Sequence, residues 1–553
     1  SAMDSGDNTI GATPMPSGRT QATTRRTFLG GTALVGVGAL SACGSDDSPT
    51  GTAIPPTETS TSLPPVPKLN GDPFALGVAS GDPNDTSVIL WTRVITNPSK
   101  ADGGIGSVPV PVSWEVATDA KFDSVVASGA EVATADFAHS VHATVDGLKP
   151  DGTYWYRFSI GAAVSPVGRT RTMPADDSQP SSGQFRFAMA TCQDFQGGRY
   201  GAWGDAAKLD DLDAIVFLGD YIYELPNILT GPNGDTSRHY TSEVPTDLPG
   251  FRARYAQVKG DKQLQAAHET APFFATWDDH EVQNNYTKDV DPELRQAGYQ
   301  AWWEHMPVRL PPPQNGELVV YRTLDVGGLI QLFILDTRQY TDPGACPGDN
   351  PVGTVPDCEA RSDKDRTLLG DTQKAWLLEG LEQSTTTWTA LANPVLFAGL
   401  VTGTVEDPAT KAQVPTFFQD TWDGFPAERA TIRSALAKVD NPVVLTGDYH
   451  AGFVFDVNDT DAIPPAEGPA VCPEFLVTAI SSFLFSEDYT KFNPQVRYFE
   501  AKHGYAVCTV TQEDFSCEFR YVDDVWDADS PITVGPTWAV AKGEHTATEV
   551  TQG

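Results

Sequence analysis

The 553-residue chain is too long for one ordinary domain and suits two or three. Its formal net charge of −36, from 73 acidic against 37 basic residues, argues against nucleic-acid binding or membrane adhesion through a basic face. The same field repels an anionic substrate, so phosphate chemistry on this chain needs cations that invert the local sign.

Taken in chain order, Ser1-Ala2-Met3 reads as an expression remnant, and residues 1–43 otherwise read as an export signal. Arg25 and Arg26 precede an uncharged stretch from Phe28 to Leu40 that ends in small residues. That stretch is shorter than the ~20 residues a bilayer crossing requires. The paired arginines resemble a twin-arginine signal, and Leu40-Ser41-Ala42-Cys43 resembles a lipobox, which implies lipidation at Cys43. The alternative is a plain signal with an incidental cysteine. The expected mature protein is extracytoplasmic and monomeric, and touches a membrane only through a lipid on Cys43.

Residues 44–68 are rich in Ser, Thr and Pro and read as a flexible linker. Residues 69–175 change texture: SVILWTRV, VSWEVATD, HSVHATVDGL and TYWYRFSI are short alternating runs separated by Gly, Pro and Asp. They predict a β-sandwich, and LKPDGTYWYRFSI resembles the corner of a fibronectin type III-like domain. A boundary is expected within Pro174–Gly183. Residues 183–530 alternate continuous apolar strands (FRFAMAT, DAIVFLG, PFFATW, IQLFILD, NPVVLTG) with helical stretches such as GDTQKAWLLEGLEQS, which predicts a layered α/β domain. Residues 531–553 read as a C-terminal tail. Among the seven cysteines, Cys346 and Cys358 bracket a Pro/Gly loop that a bridge would pin. Cys508 and Cys517 face each other across a predicted hairpin, a register that suits a cross-strand disulfide.

Chemistry gathers where the strands end. FRFAMAT runs into Cys192, DAIVFLG into Asp220 and Tyr223, FFATW into Asp278-Asp279-His280-Glu281, and NPVVLTG into Asp448 and His450. In open α/β sheets the crevice lies beyond the carboxyl ends of the strands, so these groups should converge. Acids crowded in that way repel one another unless cations bind them. Each residue also has an ordinary reading. A Gly-Asp after a strand caps or turns, Tyr223 suits a core, Cys192 suits an inert buried thiol and His280 suits a structural histidine. Those readings do not explain four strand ends sharing one pattern.

The set ATCQ, GDYIYE, WDDHE and GDYH, in that order, resembles PhoD-type alkaline phosphatases and phosphodiesterases, metallophosphoesterases related to purple acid phosphatases. The resemblance spans most of the chain. It implies a metallophosphoesterase domain of two stacked mixed sheets flanked by helices, behind an N-terminal β-sandwich. It also implies ferric iron held by Cys192, Asp220, Tyr223 and His450, with thiolate and phenolate as donors for a highly charged ion. Asp220 would bridge to calcium, with Asp279 and Asp448 as further oxygen ligands. Asn393 lies near another expected ligand position. A second calcium is implied without assignable ligands.

The implied reaction is hydrolysis of phosphate esters by a metal-held oxide or hydroxide. His280 would protonate the leaving alkoxide or hold a phosphate oxygen. Arg199, after a Gly-Gly turn, is either a bidentate phosphate clamp or a surface arginine. Two alternatives stay open: a phospholipase D-like phosphodiesterase on the same metals, and a calcium-dependent surface-binding lipoprotein that would need neither Cys192 nor His280.

Overall fold

Strands without a polar face must be covered on both sides. In the computed structural model, which describes residues 63–100, 102–348, 353–460 and 468–551, two stacked sheets and their helices provide that cover. The predicted export signal and Cys43 lie outside the described residues.

A ten-stranded sheet carries Phe185–Ala190, Ala214–Leu218 and Phe273–Thr276 as parallel neighbours. A seven-stranded sheet carries Ile330–Ile334, Trp388–Asn393 and Pro442–Thr446, also parallel. Antiparallel strands at Gly504–Val510 in the first and Arg322–Val326 in the second make both sheets mixed. Alternation along each strand sorts the side chains into layers. Phe187, Met189, Val216 and Leu218 meet Leu332, Ile334, Ala390 and Leu445 between the sheets. Ala188, Ile215 and Phe217 point the other way, onto Trp203, Tyr255, Leu264 and Trp302 of the covering helices. Leu391 and Val444 face Leu377, Leu381, Ile432 and Leu436 on the far side. Asp247, Asp261 and Asp291 cap the helices that follow them by accepting first-turn amides.

Three expectations need correction. The N-terminal strands do form two packed layers, with Trp114, Tyr156 and Phe158 against Val88, Leu90 and Val141. One of those layers is not a free sheet, however. Val78–Gly81, Val88–Arg93 and Ser140–Val145 continue the ten-stranded sheet, through a parallel pairing of Gly81 with Phe273. Their outer face carries Ala79 and Trp91, which pack with Leu76 and Ile95 just outside the strands and with Ala256 of the helix Leu248–Lys259. Trp91 also donates to the Glu304 carbonyl at 2.9 Å.

The supposed tail supplies two further strands, Ile532–Ala541 and Thr548–Glu549, at the edge of the same sheet. Gly535 and Pro536 interrupt its alternation, and its residues are only half buried, which leaves a weak periodic signal.

The Cys346–Cys358 disulfide is present, with Cα atoms 5.6 Å apart. Cys508 and Cys517 pair in the expected register, but both are free thiols buried in the inter-sheet core, where they act as small apolar side chains.

A buried carboxyl ties the seven-stranded sheet to the loop beside it. Glu474 accepts from the Phe397 amide at 2.9 Å, the Ala398 amide at 2.6 Å and Thr446 Oγ1 at 2.6 Å. Burial pushes it up from 4.5 to about 7, against those three donors. Between these two values the folded chain keeps a proton that the unfolded chain releases. Stability should therefore fall as pH rises through that window, by up to about 3 kcal/mol from this group. Glu474→Gln should flatten that part of the stability–pH curve, measured by denaturant titration at pH 5 and pH 7.5. An unchanged slope would remove Glu474 as its source.

Candidate active site

The four ligand-bearing turns sit where the two sheets meet, just past the strand ends. Cys192, Asp220, Asp448 and His450 all have positive φ, between 56° and 63°. Such backbone costs non-glycine residues about 1–3 kcal/mol each and persists only where the surroundings impose it. Here it turns each side chain back over its strand end, into the shared cleft. Two glycines permit the crowding. Gly219, at φ +98°, lies where a Cβ would come within 2.6 Å of the Asp278 amide. A Cβ on Gly447 would lie 2.7 Å from Thr191 Oγ1.

The side chains converge as their spacing suggested. Cys192 Sγ lies 3.5 Å from Asp220 Oδ2. Tyr223 Oη lies 2.8 Å from the same oxygen and 3.3 Å from His450 Nε2. Cys192, Asp220 and His450 offer donor atoms within 4.8 Å of one another, as do Asp220, Asp279 and His280, and Asp278, Asp279 and Asp448. Asp220 is common to the first two groups, which is the arrangement a bridging ligand requires.

The electrostatics fit a cation-binding role. Burial, then Asp220, pushes the Cys192 thiol well up, and burial does the same to Tyr223, Asp220 and Asp448. Burial and then His280 push His450 down to about 3, leaving it neutral and able to ligate. Bare, Asp279 has its carboxyl held below the usual range, because His280 and Arg338 outweigh burial there, whereas Cys192, Tyr223, Asp220 and Asp448 would hold their protons. A cation reverses that preference, because thiolate, phenolate and carboxylate become its ligands. Asp279 Oδ1 is buried and accepts no hydrogen bond, although the Arg338 guanidinium stands 3.7 Å away. A second cation fits at that oxygen.

His280 is placed by its neighbours. Its Nδ1 lies 2.7 Å from Glu224 Oε2, and its ring stacks on Tyr223 with centroids 4.0 Å apart. Glu224 is itself anchored by the Asn284 amide, which donates to Oε1 at 2.6 Å. Burial opposes protonation of His280, but Asp279, Asp220 and Glu224 outweigh it and raise its pKa well above the ordinary value. His280, Asp220, Asp279, Asp448 and His450 line an open pocket of about 150 Å³, together with Phe418, Tyr449, Phe483 and Phe485.

Comparison with known proteins agrees with this geometry. The family described as "PhoD-like phosphatase" matches residues 187–519, and "PhoD-like phosphatase, N-terminal domain" matches residues 59–174. Alkaline phosphatase D of Bacillus subtilis (strain 168) is 37% identical over 500 residues, covering 87% of this chain and 82% of the relative. The chain belongs to the PhoD-like phosphatase family. The solved structure of PhoD superposes with a TM-score of 0.81 at 36% identity, covering 88% of this chain and 94% of the other. A purple acid phosphatase from yellow lupin shares the fold, with a TM-score of 0.50 and 11% identity over 84% of this chain and 74% of the other. This PhoD-like phosphatase is therefore a phosphoric ester hydrolase, built on mixed sheets behind an N-terminal domain.

Two expected site residues of this PhoD-like phosphatase lie elsewhere. Arg199 is about a third exposed and donates to Ser237 Oγ at 2.8 Å, with Asp235 3.5 Å away. It does not line the pocket. The Gly-Gly turn points it at the neighbouring polar loop, which takes up its charge. Asn393 is buried and spent on structure. Its amide donates to the Val395 carbonyl, and its Oδ1 accepts from Trp422 Nε1 at 3.0 Å.

Other contributors were not assigned roles from the sequence. Glu281 accepts the amides of Asp220, Tyr221 and Asp278 at 3.2, 2.6 and 2.9 Å, stapling two ligand turns together. Arg338 is wholly buried and grips Asp278 with bonds of 2.6 and 3.0 Å, with Asp448 and Asp420 each 3.9 Å from it. It follows the strand Ile330–Ile334, so the strand-end rule that singled out Asp220 would also have found it. Ser482 Oγ lies 2.7 Å from Tyr223 Oη and 2.9 Å from the Cys192 carbonyl, within hydrogen-bond reach of both, which orients two candidate ligands. Nothing local in its sequence marks it.

Proposed function

We propose that this chain is an exported phosphatase and phosphodiesterase that works with ferric iron at Cys192, Asp220, Tyr223 and His450 and calcium at Asp220, Asp279 and Asp448. The observation that carries the reading is that sulfur, phenol, imidazole and carboxylate from both sheets meet around the single carboxylate of Asp220. Thiolate and phenolate are strong donors that suit a highly charged ion, and the all-carboxylate set Asp220, Asp279 and Asp448 suits calcium. When bound, such cations would lower the pKa of a water towards neutrality and offset the charge on phosphoryl oxygens. The N-terminal layers read as a fibronectin type III-like support, and the paired arginines and Cys43 as marks of export with an optional lipid.

The chain's own residues provide the rest. Asp220 and Asp279, through the cations they would hold, would fix where the phosphoryl group can sit. Glu224 holds Nδ1 of His280 and leaves Nε2 to give its proton to the departing alkoxide. Glu281 and Arg338 keep the ligand turns from springing apart under their own charge.

Metal analysis of protein purified from its native source should find iron and calcium, together with a visible charge-transfer band from ferric thiolate or phenolate. Chelation should abolish hydrolysis of both p-nitrophenyl phosphate and its bis-ester, and calcium should restore it. Full activity after exhaustive chelation would end the metal-dependent reading.

A further inference from the structure

The pocket has two unlike parts. One part is polar, with the acids Asp220, Asp279, Asp420 and Asp448 beside Asn284, Asn285 and Thr421, and the other is an aromatic cluster of Phe418, Tyr449, Phe483 and Phe485. In that cluster, Phe483 is 50% exposed, the most exposed aromatic side chain among the described residues. Large apolar surface left open inside a pocket marks where a ligand is received.

Phe483 is also held in place. Its ring meets His450 edge-on at 4.8 Å and Phe485 edge-on at 5.1 Å. Phe485 in turn contacts Tyr449 at 5.5 Å and Phe418 at 6.1 Å. The two residues before Phe483 are pinned to the ligand shell. Ser481 Oγ donates to the Asp194 carbonyl at 2.8 Å, and Ser482 Oγ lies 2.7 Å from Tyr223 Oη. The exposed ring therefore stands at a set distance from the candidate metal ligand His450, next to where a phosphoryl group would lie.

We infer that Phe483 is a specificity-determining residue, a platform that receives the apolar, planar organic group of the ester and favours aryl esters over esters of small polyols. The inference rests on the phosphate-ester reading above. A polyol presents hydroxyls that the Phe483 ring cannot satisfy, whereas a flat apolar group buries its face against the ring. The polar part offers no equivalent surface.

The test is a ratio of kcat/KM, 1-naphthyl phosphate over glycerol 2-phosphate, measured on metal-replete full-length protein. Phe483→Ala should lower that ratio about ten-fold, the scale of one lost aromatic stacking contact, and Phe483→Trp should restore it. The ring is half exposed, so its removal leaves no core cavity, and metal content should match the unmodified chain. A ratio unchanged by Phe483→Ala, including an equal fall on both esters, overturns the platform and leaves the hydrolase reading intact. If the unmodified, metal-replete chain hydrolyses neither ester, the hydrolase reading fails and takes the platform with it.

Discussion

Cys192→Ala is expected to cut phosphate-ester turnover by more than about 100-fold, a loss that outer partners of a metal can already cause, and to remove iron and the charge-transfer band. The thiol is fully buried, stands 3.5 Å from Asp220 Oδ2, and is flanked by Thr191 Oγ1 at 3.1 Å. Among the described residues no other free thiol lines the pocket: Cys472, Cys508 and Cys517 lie in cores away from it. Alanine removes one atom from a well-packed site, a small perturbation of the fold. The circular-dichroism spectrum and melting cooperativity should therefore persist while iron and rate fall together. Asp220→Asn should behave alike, because a neutral amide cannot supply charge to two cations at once. Retention of full iron content and rate by Cys192→Ala would take the thiol out of the ligand set.

His280→Ala is expected to lower kcat by about 10²–10⁴-fold, the range of a general acid, with iron and calcium retained. His280 lies on the pocket surface, and its Nδ1 is committed to Glu224. The lost rate should depend on the leaving group, since an alkoxide needs a proton far more than a nitrophenolate does. Alkyl esters should therefore suffer more than p-nitrophenyl phosphate. Equal losses on both would recast His280 as a phosphate holder, and metal loss would recast it as a ligand.

Much of this site was legible in the residues. Gly-Asp after an apolar run, found at both Asp220 and Asp448, marks a strand ending in an acid. Strand ends converge in layered α/β folds, so Cys192, Tyr223, Asp279 and His450 could be grouped before any coordinates. The stretch FLGDYIYE, Phe217 to Glu224, makes physical sense in three dimensions. Phe217 faces the helices and Leu218 faces the other sheet. Asp220, Tyr223 and Glu224 then turn into the cleft, where they supply two candidate ligands and the anchor of His280.

Arg199 and Asn393 failed for a common reason. Arg199 was placed by following a motif closely in sequence and Asn393 by its nearness to a ligand position that the resemblance implies, and neither criterion specifies direction. Arg199 faces Ser237 and Asp235, and Asn393 faces Trp422. The terminal strands were missed because Gly535 and Pro536 break their alternation, while pairing with Asp514–Val522 stabilises them through partners that no local window contains.

The linear chain determined which side chains carry chemistry and that they stand at the ends of buried strands, because period and composition are local properties. Only the tertiary structure decided which way those side chains aim, which acids share one space, and which groups restrain them. Glu281, Arg338 and Ser482 act on partners about 60, 60 and 260–290 residues away. Contacts of that span depend on how two sheets stack, and stacking is decided by the packing of the whole core rather than by any segment of it.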